Sequence, residues 1–216
     1  MSIATNFSRL QAEVSAAKAA LVAVVKQRSV AEIQELITAG ATDLGFGTVQ
    51  DAAEKLPQLQ FAGTTHLIGR LQKNKVRKAV ELFDVIQSVD SLALATRIDR
   101  IAFEEGRPVR MLLQVNIAAD PAKVGFAVDE LRAALPRLAA LKYTPVCGLM
   151  TIGRWGADAD ETTQEFIALK RLFDELRQQH CFGPQFTGLS MGMSDDYQLG
   201  LQTGATIVRI GSALFA

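Results

Sequence analysis

"LVAVVKQRSVAEIQELITAG", residues 21–40, reads as one strand followed by one helix. Leu21 to Val25 is an unbroken apolar run of the length expected for a strand buried on both faces. From Val30 onward the apolar residues change to helical spacing, and Gly40 supplies a C-terminal stop. Lys26, which closes the apolar run, is the one residue there that packing does not explain.

The same unit recurs along the chain. After an amphipathic helix over roughly Asn6 to Lys18, the strand candidates are Leu21–Val25, Thr42–Phe46, Thr65–Ile68, Val85–Val89, Met111–Asn116, Val146–Thr151, Phe186–Met191 and Thr206–Ile210. Helical patterns lie between them: NKVRKAVELF, SLALATRIDRIAFEEG, VDELRAALPRLAAL and TTQEFIALKRLFDELRQQ. Alternation of this kind predicts an α/β fold, a parallel sheet covered by helices. An open doubly wound sheet and a closed barrel compete. Neither GxGxxG after the first strand nor GxxxxGK[ST] is present, which removes the main support for a nucleotide-binding open sheet. Eight strand candidates favour a (β/α)8 TIM barrel with an extra N-terminal helix, as a single domain over residues 1–216. Chemistry then belongs at the C-terminal ends of the strands, with phosphate often held after strands 7 and 8.

Composition narrows the class. The 216 residues are 49% hydrophobic and 21% charged, ordinary globular usage, and a chain of this length can bury a large single core. Lys+Arg and Asp+Glu balance at 23 each, so no global field favours nucleic acid or an anionic membrane. The two cysteines, Cys147 and Cys181, form no disulfide framework and lack metal-site spacing; both are expected as reduced, buried small residues. The N-terminus lacks a signal-peptide pattern and no apolar stretch reaches membrane-spanning length, so the expected location is cytoplasmic.

Three places carry candidate chemistry. Lys26 is either a lysine leaving the sheet for solvent or an amine in a barrel mouth, where partial burial would lower its pKa and free it to attack an aldehyde. In "GLSMGMSDDYQLG", residues 188–200, Gly192 would let backbone approach a ligand and Ser194 offers a hydroxyl. The turn is either a plain helix cap, which Asp195 and Asp196 would satisfy on their own, or an anion site made of helix N-terminal N–H groups and the Ser194 hydroxyl. A metal site from the aspartate pair is disfavoured, because no further ligand lies at the right spacing. In "ATIVRIGSALF", residues 205–215, Arg209 sits inside an apolar strand and needs a partner. It is either half of a structural ion pair or an arginine aimed at a ligand, with Gly211 and Ser212 opening a short terminal helix that completes a phosphate cradle. The basic stretch "GRLQKNKVRK", residues 69–78, has no aromatic and reads as a solvated helix face; His66 reads as a satisfied core histidine.

Taken in order, "LVAVVKQRS", "HLIGRLQKNKVRKAVELFDVIQSVDS", "QVNIAADPAKVGF", "GLMTIG", "LSMGMSDD" and "GATIVRIGSALF" resemble the pyridoxal phosphate homeostasis protein family (YggS/PROSC type). The resemblance runs from about Leu21 to the last residue, and the short VVK and VRIG pieces are shared with the N-terminal barrel of alanine racemases. It implies a modified (β/α)8 barrel carrying pyridoxal 5'-phosphate (PLP). By the same resemblance Lys26 would hold the cofactor as a Schiff base, and Ser194, Gly211 and Ser212 would bind its phosphate. Arg209 would face the pyridine nitrogen, which leaves the ring a poorer electron sink than a carboxylate partner would. Where the family reads G-E-N-x-x-Q-E, this chain reads "GFGTVQD", residues 45–51, so Phe46 and Gly47 replace Glu-Asn and Gly47 cannot supply the asparagine's hydrogen bond. Thr65 stands where many relatives have Trp.

Alanine racemases need a second base, a tyrosine from a domain after the barrel. Here the sequence stops soon after strand 8, and its only tyrosines are Tyr143, expected at the far end of the barrel, and Tyr197. The expected function is therefore binding, buffering and delivery of PLP in its homeostasis, as a monomer, with apo PLP enzymes as partners and no robust turnover. The alternatives are a small fold-type III PLP enzyme of racemase type and a PLP-free Schiff-base aldolase.

Overall fold

The structure, a computed structural model, describes residues 2–154 and 156–216. Its centre is a closed barrel of eight parallel strands in sequential order, so the count read from the apolar runs is correct. The strands are β1 (Ala20–Val24), β2 (Asp43–Phe46), β3 (Thr64–Leu67), β4 (Val85–Val89), β5 (Arg110–Gln114), β6 (Val146–Met150), β7 (Gly188–Ser190) and β8 (Ile207–Ile210). β1 pairs with β8, with Val22 opposite Arg209 and Ala23 opposite Ile210, and this closes the ring. Observed ends differ from the expected ones by at most two residues, and β7 keeps only the middle of Phe186–Met191.

Helices α2 (Val30–Thr38), α3 (Val49–Lys55), α4 (Val76–Leu82), α5 (Leu92–Glu105), α6 (Val128–Ala139), α7 (Ala159–Gln178) and α8 (Tyr197–Thr203) follow the first seven strands. Local signals set their starts. Ser29 caps α2 in a full capping box with Glu32, so the helix begins four residues after Lys26 and anchors that turn. Only a single 3-10 turn, Ser212–Leu214, follows β8. The N-terminal helix α1 (Ile3–Ala16) packs against that turn, β1 and α2, and so fills the place a helix after β8 would take. Asn6 fixes it there, donating to the Leu214 and Ala216 carbonyls.

Alternation along the strands divides the buried residues into two layers. Leu21, Ala23 and Val25 join the large apolar layer beneath the helices. Inside the barrel, Val85, Leu112 and Met150 form a small apolar plug. Strand approach is tight enough at β6–β7 that a Cβ on Gly148 would lie 1.8 Å from the Gly188 carbonyl oxygen. No residue but glycine fits there without moving the sheet.

Candidate functional site

Lys26 lies two residues beyond β1, in a turn where Gln27 has a φ of 59°. Its side chain is exposed, so the partial burial expected from the flanking valines is not there. Val25 faces the helix layer, and the neighbouring residue that could have covered the lysine is Gly47. A Cβ on Gly47 would sit 3.6 Å from Lys26 Cδ, in ordinary contact with the aliphatic stem. Lys26, Gly47, Thr48, Asp51 and Ile68 line a cavity of about 450 Å³ at this end of the barrel. Asp51 is committed to its own helix, pairing with Lys55 at 2.5 Å, and its other oxygen is buried without a partner. Among the described residues Lys26 makes no ion pair.

The turns after β7 and β8 interlock. Ser194 Oγ accepts hydrogen bonds from the Gly211 N–H at 3.0 Å and the Ala213 N–H at 3.4 Å. Ser212 is exposed and opens the 3-10 turn. Gly211 also touches the end of β1, since a Cβ there would lie 3.2 Å from Val24 Cβ. This contact places the interlocked turns on the same side of the mouth as the strand that leads to Lys26. Neither aspartate caps α8 through its side chain as expected: Asp196 occupies the cap position, but its carboxylate turns back to accept from the Met193 N–H at 2.5 Å. Gly192 has a φ of 94°, and its close approach is to α8, where a Cβ would meet Tyr197 Cα at 2.9 Å. The glycine serves the packing of the helix.

Arg209 is buried at 3% exposure and has no ion pair among the described residues, so the structural ion pair considered from sequence is not formed. Its guanidinium donates to Ser190 Oγ at 2.6 Å and to the Thr151 carbonyl at 2.8 Å. Burial pulls its pKa down to about 10, with the negative charge of Asp196 acting the other way, so it stays charged at neutral pH. Ser190 and the Thr151 carbonyl escaped sequence reading. The signal for Ser190 was a polar residue closing the apolar strand GLS, and none marks a backbone carbonyl.

Other expectations resolve plainly. His66 is buried with both ring nitrogens hydrogen-bonded, the satisfied core histidine expected. The basic stretch lies on an exposed face, where Arg77 pairs with Glu104 and Glu105 and Lys78 with Glu81. Cys147 and Cys181 are free but only half-buried, because Cys147 opens onto the lower barrel interior and Cys181 sits in the turn after α7. Tyr143 precedes β6 and stacks edge-on against Phe103 at the end of the barrel opposite the mouth. Tyr197 donates its hydroxyl to Glu13 on α1 at 2.6 Å. No group of three or more His, Cys, Asp or Glu among the described residues is placed to hold a metal, and no described helix is long and apolar enough to cross a membrane.

A closed parallel barrel with polar groups at the C-terminal ends of β1, β7 and β8 is a (β/α)8 barrel with its candidate site at the usual face, and the family match gives its type. Residues 1–216 match the family model "Alanine racemase, N-terminal domain". Within it, the chain belongs to the pyridoxal phosphate homeostasis protein family. It is 41% identical over 197 residues to the pyridoxal phosphate homeostasis protein of Synechocystis sp., covering 90% of this chain and 89% of that one. The Escherichia coli protein of the same name is 34% identical, with 99% and 95% covered. PipY of Synechococcus elongatus, solved with PLP bound, superposes with a TM-score of 0.91 at 41% identity over 99% of this chain and 100% of that one. An alanine racemase of Clostridium difficile shares the fold alone, with a TM-score of 0.78 at 17% identity over 97% of this chain and 59% of that one.

Proposed function

We propose that the chain, as one domain, binds PLP at the C-terminal mouth of its barrel and serves to buffer and deliver it rather than to turn over a substrate. The observation that carries the reading is the convergence of the Gly211 and Ala213 N–H groups on Ser194 Oγ beside the end of β1. Backbone donors and a hydroxyl gathered in one place suit a phosphate. The remaining groups also fit: Lys26 offers an amine with no competing carboxylate, and Arg209 offers a fixed, charged donor. Lys26, Arg209, Ser194, Gly211 and Ser212 are the residues we assign to cofactor binding; the PLP-bound PipY relative supports PLP as the ligand. When bound, the cofactor supplies an aldehyde that condenses with a primary amine, and an aromatic ring that can draw electrons. Arg209, if it faced the ring nitrogen, would hold its own proton near neutral pH and so limit that withdrawal.

The two tyrosines argue for a carrier. One stacks on Phe103 at the opposite end of the barrel and the other is committed to Glu13, so neither is presented to the mouth as a proton acceptor. Burial and the Glu13 carboxylate also raise the Tyr197 pKa, which makes it a weaker source of base near neutral pH. Apo PLP enzymes are the partners we propose, with the cytoplasm as location. Titration with PLP should produce a visible absorption band at one equivalent, while deuterium exchange at the α-carbon of amino acids stays at the rate of free PLP. Sustained exchange by the purified protein would overturn the carrier reading in favour of a racemase-type enzyme.

A further inference from the structure

Five side chains from five strands form one unbroken hydrogen-bonded chain through the barrel interior. Arg209 on β8 donates to Ser190 Oγ on β7 at 2.6 Å. Ser190 Oγ donates to Gln87 Oε1 on β4 at 2.7 Å. That step crosses the lumen, since β4 and β7 are not neighbours in the sheet. Gln87 Nε2 lies 3.0 Å from His66 Nδ1 on β3, and His66 Nε2 lies 3.0 Å from Asp43 Oδ1 on β2. Ser190 and Gln87 are wholly buried, and His66 nearly so. Asp43 is the first residue of β2, so the chain runs from the floor of the barrel to its mouth.

The direction of every bond is fixed by the two ends. A guanidinium can only donate and an ionised carboxylate can only accept. Ser190 therefore accepts from Arg209 and spends its single proton on Gln87 Oε1. That turns the Gln87 amide nitrogen toward His66, whose Nδ1 must accept. The ring proton then sits on Nε2 and is donated to Asp43. Reversing any one step leaves a buried donor facing a donor, or an acceptor facing an acceptor.

We infer that Gln87 and His66 are positioning residues for the cofactor ring: they lock the Ser190 hydroxyl, and through it the Arg209 guanidinium, in one orientation at the mouth, with Asp43 as the far end of the lock. The inference rests on the PLP reading of the mouth and extends it to residues that never touch the ligand. It also accounts for a wholly buried glutamine in the strand VIQSV, where packing alone would favour a branched hydrocarbon.

The test compares Gln87→Leu and Ser190→Ala with Leu112→Met, a volume-conserving change in the apolar plug. Three quantities are read: thermal melting of the PLP-free protein, PLP affinity, and the wavelength of the visible band of the bound cofactor. A purely structural role would lower melting and leave the band alone. The lock requires that both chain-breaking variants move the band and weaken PLP roughly tenfold, while Leu112→Met does neither. Folded Gln87→Leu protein with the wild-type band and affinity overturns the inference. If Gln87→Leu does not fold, Ser190→Ala, which removes one oxygen atom, decides alone: an unmoved band overturns it. A wild-type protein with no visible band at all overturns the PLP reading itself, and this inference with it.

Discussion

At the scale of single residues, Gly47 is the departure with the clearest consequence. The family resemblance puts an asparagine there, and the structure shows that side-chain space is available: a Cβ would meet only the Lys26 stem, at 3.6 Å or more. Gly47→Asn should therefore be tolerated and should tighten PLP binding about fivefold, the worth of one net hydrogen bond. Equilibrium titration checks this, and an unchanged dissociation constant would show that the glycine costs the site nothing. Lys26, Ser194 and Arg209 were legible in the sequence because each interrupts an apolar or glycine-rich pattern. Their surroundings were less so. The exposure of Lys26 follows from what lies across the mouth, and residue 47 is distant in sequence from residue 26. The bonds from Gly211 and Ala213 to Ser194 join two turns that only barrel closure brings together.

At the scale of elements, α1 works as the missing eighth helix, and two polar ties hold it: Asn6 to the C-terminal turn and Tyr197 to Glu13. Tyr197→Phe removes the second tie. It should cost about 1 kcal/mol of stability, visible as a small fall in melting temperature, and leave PLP affinity unchanged. A large loss of affinity would mean that Tyr197 belongs to the site. The helix itself was readable as an amphipathic segment, and its period gave its existence but not its partner. α3 was not singled out at all; it is seven residues long, and Thr48 starts it by accepting from the Asp51 N–H.

At the scale of the whole molecule, the barrel was legible because a strand buried on both faces must be almost continuously apolar, and eight such runs alternate with helices. The polar chain across the lumen was not, since it depends on which interior residues face one another. Its floor gives a pH prediction. Burial pushes the Asp43 carboxyl up, but hydrogen bonds from His66 and Thr42 outweigh it, and the group ends below its ordinary value of 3.8. A depressed carboxylate contributes stability that is present above its unfolded value and lost as pH falls through the folded one. Asp43→Asn should thus lower stability by about 1 kcal/mol at neutral pH, with the gap from wild type closing as pH falls below 3.8. A gap that does not change with pH would mean the charge on Asp43 contributes nothing.

The central claim is that the barrel mouth holds PLP through Lys26, and one labelling measurement tests it most directly. PLP-loaded protein is reduced with borohydride, digested and mapped by mass spectrometry. The account predicts that the visible band disappears and that one pyridoxyl phosphate label appears, on Lys26, with Lys26→Ala unlabelled yet still retaining PLP through Ser194 and the β8 turn. A label on another lysine, or no label on wild-type protein, would contradict it.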